Sequence, residues 1–70
     1  MRLSRHAKNE LRRLEATVAD VERVIRDPVR VDRDATGKPR FVGYIKGIRV
    51  RVVLALDRPD FVVTIHKRRN

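Results

Sequence analysis

Apolar residues in the first third of the chain fall at Leu3, Ala7, Leu11, Leu14, Val18, Val21 and Ile25. The steps are three or four residues throughout, which keeps those side chains on one face of an α-helix. Ser4 stands where an N-cap would. Thr17 with Asp20 three residues later reads as an acidic variant of a capping box. Two short helices, near residues 4–14 and 18–26, are the preferred reading. One continuous helix is the alternative, because neither Gly nor Pro interrupts the stripe. Asp27-Pro28 ends the helical region, since a residue before proline is pushed out of the α basin.

The remainder alternates with period two, the signature of strands. Residues 29–34, 40–45, 48–56 and 61–66 read as four strands. Turn chemistry separates them: Ala35 to Pro39, the two-residue loop Lys46-Gly47, and Asp57 to Asp60. The tail from Lys67 to Asn70 is expected to fray. Helices first and an antiparallel meander after them predict an α+β fold, with the helices packed on one face of a four-stranded antiparallel sheet.

The turns also set a register. Ile45 should face Ile48, Tyr44 should face Arg49, and Val42 should face Arg51. Across the next turn, Leu56 should face Phe61, Val53 should face Thr64, and Arg51 should face His66. The core face then gathers Phe41, Ile45, Ile48, Val50, Val52, Leu54, Leu56, Phe61, Val63 and Ile65. The other face gathers Val42, Tyr44, Arg49, Arg51, Val53, Ala55, Val62, Thr64 and His66.

Charge changes the picture from a fold to a partner. Lys and Arg number 18 against 9 Asp and Glu, a net charge of +9 on 70 residues. Such a field attracts polyanions. Nucleic acid stands first among them, then an acidic protein, then an anionic membrane surface. The chain is not a basic tail, because 41% of it is hydrophobic and patterned. Residues 1–14 and the stretch from residue 29 onward are basic. Residues 15–28 lean acidic, as a face turned away from a polyanion would.

The length bounds the chain to a single domain, residues 1–70, with a lean core. There is no cysteine, hence no disulfide framework and no Cys-based zinc site. No apolar run approaches the roughly 18 residues of a membrane span, and no secretory pattern opens the chain. The expectation is a cytoplasmic protein that is not membrane-bound. No metal site and no cofactor is implied by two histidines without spaced carboxylates.

On the open face, Arg49 and Arg51 offer guanidinium forks for phosphate, Tyr44 can stack on a base, and His66 can move protons. Thr64 lies beside them, and Lys67 and Arg68 extend the basic end. His6 lies on the flank of the first helix, with Glu10 one turn on to orient it and Arg13 beyond. Catalytic candidates are therefore His6, Arg51 and His66. Candidate RNA-binding residues are Arg13, Tyr44, Arg49, Thr64, Lys67 and Arg68. Residues 29–34 are a candidate edge strand, where Arg30 and Arg33 discourage self-pairing. A homodimer remains open.

The segment "LSRHAKNELRRLEATVADVERVIRDPVRV" resembles the start of a small bacterial domain family of unknown function. "GIRVRVVLALDRPDFVVTIHKRR" resembles its end. That family is grouped with RelE-like toxins in the barnase–EndoU–colicin–RelE fold. The resemblance implies two helices on a four-stranded antiparallel sheet. It also implies a metal-independent endoribonuclease, often paired with an antitoxin, which would be acidic. The family's helix-1 histidine falls on His6, its helix-closing arginine on Arg12 or Arg13, its strand arginine on Arg49 or Arg51, and its strand threonine on Thr64. The family's interhelical loop typically carries a glycine; here that loop is Leu14-Glu15-Ala16-Thr17. The competing expectation is a non-catalytic basic module of phage or plasmid origin that binds nucleic acid or docks on a protein.

Overall fold

A computed structural model describes residues 1–68. Its elements are β1 (Arg2–Leu3), α1 (Arg5–Arg13), α2 (Val18–Arg26), β2 (Arg30–Arg33), β3 (Pro39–Ile45), β4 (Ile48–Leu54) and β5 (Phe61–Lys67). The class is α+β, with the two helices ahead of the meander. The sheet, however, has five strands in the order β1-β5-β4-β3-β2, not four. β1 runs parallel to β5, so the sheet is mixed, while the other pairings are antiparallel. Leu3 fits the helical stripe by spacing but belongs to β1. The Arg2 N–H donates to the Asp60 carbonyl and the Ser4 N–H to that of Val62, each at 2.9 Å.

The helices are separate because the chain turns left-handed between them. Glu15 has φ 52°. Its N–H donates to the Arg12 carbonyl and that of Ala16 to Leu11, both at 3.0 Å. This is the Schellman arrangement, in which the left-handed residue is most often glycine. Glu15 thus takes the left-handed position that glycine most often fills. Thr17 then caps α2, and its capping box with Asp20 is complete. The break resets the helical phase: Val21 and Val24 are buried, Ile25 is half-buried, and Val18 is 40% exposed.

The helices lie on the face carrying Ile45, Val50, Val52, Leu54, Val62 and Ile65, which form one core with Leu3, Ala7, Leu11, Leu14, Val21 and Val24. Gly43 lets α2 approach β3. A Cβ built there would stand 2.9 Å from Val24 Cγ1.

The Lys46-Gly47 turn has positive φ at both residues, 52° and 77°. It sets Ile45 opposite Ile48, Tyr44 opposite Arg49 and Val42 opposite Arg51, as the sequence predicts. Val53–Thr64 and Arg51–His66 also pair as expected. The far end of β4–β5 does not. A bulge makes Leu54 face Val62, so Val62 joins the core and Val63 is only half-buried. Leu56 lies beyond the strand and is 62% exposed. The tail is firmer than expected: Lys67 belongs to β5, and the Arg68 N–H donates to the Arg49 carbonyl at 2.9 Å. Residues 69–70 of that tail fall outside the described residues.

Candidate nucleic-acid interface

β4 presents Arg49 and Arg51 at alternate positions, so both side chains leave the sheet on the face away from the helices. Register places Tyr44 beside Arg49, Val42 and His66 on either side of Arg51, and Arg40 and Thr64 on either side of Val53. Val42 and Val53 are nevertheless buried, at 1% and 5% exposure, and stand apart from the helix-side core. Their cross-strand neighbours Arg51 and Arg40 have apolar stems suited to covering them. Arg49 and Arg51 are half-buried. Their Nε atoms and Thr64 Oγ1 are shielded from solvent and have no hydrogen-bond partner among the described residues. Leaving three such groups unsatisfied on one face is costly unless something else meets them.

His6 reaches this neighbourhood from α1. The Ser4 hydroxyl donates to the Val63 carbonyl while its oxygen accepts the Ala7 N–H at 3.1 Å. One residue therefore caps α1 and ties its first turn to β5. The result brings the His6 and His66 rings to 6.4 Å between centroids, tilted by 58°. Around them is a cavity of about 360 Å³ lined by His6, Glu10, Arg13, His66 and Lys67, with Leu14 and Ile65 at its floor. Glu10 does not orient His6 as expected. Its carboxylate instead accepts from Arg13 Nη1 at 3.0 Å.

Along the sheet, Tyr44, Arg49 and Arg68 line a second cavity of about 260 Å³ beside the Lys46-Gly47 turn. Tyr44 is 49% exposed, so its ring is available for stacking. The sequence-predicted residues thus fall into two adjoining groups. His6, Arg13, His66 and Lys67 gather at the β5 edge, and Tyr44, Arg49 and Arg68 gather near the turn. Arg51 stands between them as the cross-strand neighbour of His66.

Two residues of this face were missed by the sequence reading. Arg40 Nε and Nη2 donate to the two Asp32 oxygens at 2.7 and 2.8 Å. The Arg40 hydrogen bond holds the Asp32 carboxyl below the usual carboxylate range. Asp32 and Arg40 stand opposite each other across the 34–38 turn. That symmetry about the turn was the available signal. The pairing neutralises an acid that would otherwise oppose a polyanion. Among the described residues, no three or more His, Cys, Asp or Glu side chains come together as a metal-binding group. A larger cavity of about 710 Å³ lies elsewhere, lined by Leu3, Leu11, Val18 and Phe61 together with Arg2, Lys8 and Arg12; of the two arginines that the resemblance offered for the end of α1, Arg12 lines this cavity and Arg13 the one beside the histidines.

Comparison with known proteins adds no relative: no family model matches the chain, and no curated protein or solved structure does either.

Proposed function

We propose that this protein is a RelE-like, toxin-like endoribonuclease that cleaves RNA without a metal, through attack of the ribose 2′-hydroxyl on the adjacent phosphate. The observation that carries the reading is the pair of histidine rings 6.4 Å apart, one of them beside Arg51. One imidazole takes the 2′-hydroxyl proton as the O2′–P bond forms. The other delivers a proton to O5′ as the P–O5′ bond breaks. Arg51 meets the charge that gathers on the phosphorus oxygens. Arg49 and Thr64 hold neighbouring phosphate or ribose oxygens, and Tyr44 stacks on a base. Arg13, Lys67 and Arg68 supply further positive charge. The products are a 2′,3′-cyclic phosphate and a 5′-hydroxyl. No cofactor enters the scheme. The protein would work in the cytoplasm, with an acidic antitoxin as its natural protein partner.

The test is a variant series. His6→Ala and His66→Ala should each slow cleavage by about 10²- to 10⁴-fold, the usual worth of a general acid or base. Arg51→Ala should do the same while leaving the fold intact by circular dichroism. Cleavage by all three variants at the parent rate would remove the reading.

One observation favours a second reading, a non-catalytic nucleic-acid-binding or protein-interaction module. Glu10 engages Arg13 and not His6, so among the described residues no carboxylate accepts a hydrogen bond from that imidazole. In that case the same face binds RNA in a salt-sensitive way, and neither histidine affects a rate.

A further inference from the structure

β2 is an outer strand of the sheet, and its free edge is suited to one occupant, a second copy of itself. The pairing of β2 with β3 places Arg30 opposite Val42 and Asp32 opposite Arg40. At the turn, the Asp34 N–H donates to the Lys38 carbonyl at 3.0 Å. Hydrogen-bonded pairs alternate along an antiparallel ladder. Asp34, Asp32 and Arg30 therefore point their backbone groups inward to β3, while Val31 and Arg33 point theirs outward; the alternation ends just ahead of β2, where the Val29 N–H also turns inward and donates to the Val42 carbonyl at 2.8 Å. Val31 is also 54% exposed, and Val29 beside it is 62% exposed.

We propose that the protein self-associates through antiparallel pairing of β2 with β2 of a second copy, on a two-fold axis at Val31. The outward N–H and C=O of Val31 then bond reciprocally to those of the partner's Val31. This register decides the neighbours. Arg30 falls opposite the partner's Asp32, and Asp32 opposite the partner's Arg30. Such flanking pairs are the non-hydrogen-bonded kind, whose side chains lie closest. The sequence Arg30-Val31-Asp32 is thus complementary to itself when reversed, with Arg30 of the second copy as a second cation beside an Asp32 that Arg40 of its own chain already holds. Read as a lone strand, Arg30 and Arg33 discourage self-pairing. Read in this register, Arg30 promotes it.

Charge supports the same occupant. In a chain of net charge +9, residues 30–34 carry Arg30 and Arg33 against Asp32 and Asp34 and are locally neutral. The neighbouring α2, which packs on β3, belongs to the acidic stretch. This edge is where two strongly basic copies meet with least repulsion. A contact made mainly by two four-residue strands falls short of the roughly 1,000 Å² of a stable interface. The dimer is accordingly weak and concentration-dependent. Its two open faces lie on the same side of one continuous sheet, whether or not they cut RNA.

Sedimentation equilibrium of the full chain, run from micromolar to millimolar protein, tests this. The expected result is a rise from monomer to dimer mass with concentration. Val31→Lys, which sets like charges on the axis, should abolish it, as should Arg30→Asp, which sets Asp beside the partner's Asp32. Circular dichroism should show both variants folded. Because the chain has no cysteine, Val31→Cys adds a single thiol, which a short bismaleimide should link to its counterpart. A parent that stays monomeric throughout would overturn the proposal. So would a dimer that survives both charge variants.

Discussion

Glu15 holds a left-handed backbone that costs an L-residue more than it costs glycine. Lys46, also left-handed, sends its ammonium to the Glu15 carbonyl, so two uncomfortable residues brace each other. Glu15→Gly should stabilise the protein by up to about 1 kcal/mol, measured by urea unfolding. A loss of stability would mean that the glutamate side chain has a compensating role. Gly43→Ala should act in the opposite direction. Its new methyl meets Val24 Cγ1 at 2.9 Å, and overpacking of that kind costs about 1–3 kcal/mol. Glutamate announces no left-handed turn in sequence. The helix break was therefore legible only from the cap that follows it, Thr17 with Asp20.

Ser4 matters at the scale of elements because it joins a helix cap to a strand edge. Ser4→Ala should cost about 1 kcal/mol as a lost cap. It should also let α1 drift from β5, so that RNA cleavage falls further than the loss of folded protein explains. Parallel urea melts and rate measurements separate the two effects. Asp20 in the α2 cap, Asp32 at the β2–β3 pair and Asp34 in the following turn are all held below the ordinary value of an aspartate side chain. The causes lead with a hydrogen bond in each case: the Thr17 backbone, Arg40, and the Thr36 hydroxyl. A lowered folded pKa gives stability that is complete above the unfolded value and lost as pH falls through the folded one. Thermal melts should therefore hold steady near neutrality and drop below about pH 4. Asp32→Asn should flatten part of that drop. At this scale the Lys46-Gly47 hairpin was legible because its loop length fixes the register. The bulge was not. Phe61, Val62 and Val63 are all apolar, so no polar residue marks the side that faces out. β1 was hidden too, since a two-residue strand has no period to read.

Charge in the molecule as a whole is separated by segment and not by face of the sheet. Glu15, Asp20, Glu22 and Asp27 sit in or beside α2, whereas α1 on the same side carries Arg5, Lys8, Arg12 and Arg13, and Arg49 and Arg51 rise from the other side. That arrangement was legible as a change of sign along the chain. The meeting of His6 with His66 was not, because it depends on Ser4 tying α1 to β5. RNA affinity should fall roughly 10- to 100-fold between about 50 and 200 mM salt if several phosphates are held. Replacing Arg49 and Arg51 together with Ala should make that dependence shallower. No helix among the described residues is long and apolar enough to cross a membrane.

The most direct test of the central claim is the chemistry of the product. The purified protein is incubated in EDTA with a labelled RNA, its all-DNA counterpart, and a DNA strand carrying one ribonucleotide. The account predicts cleavage of the RNA, cleavage of the mixed strand only at its ribose, a 2′,3′-cyclic phosphate end at each cut, and intact DNA. Cleavage of the all-DNA strand, or RNA left whole while bound, would contradict it.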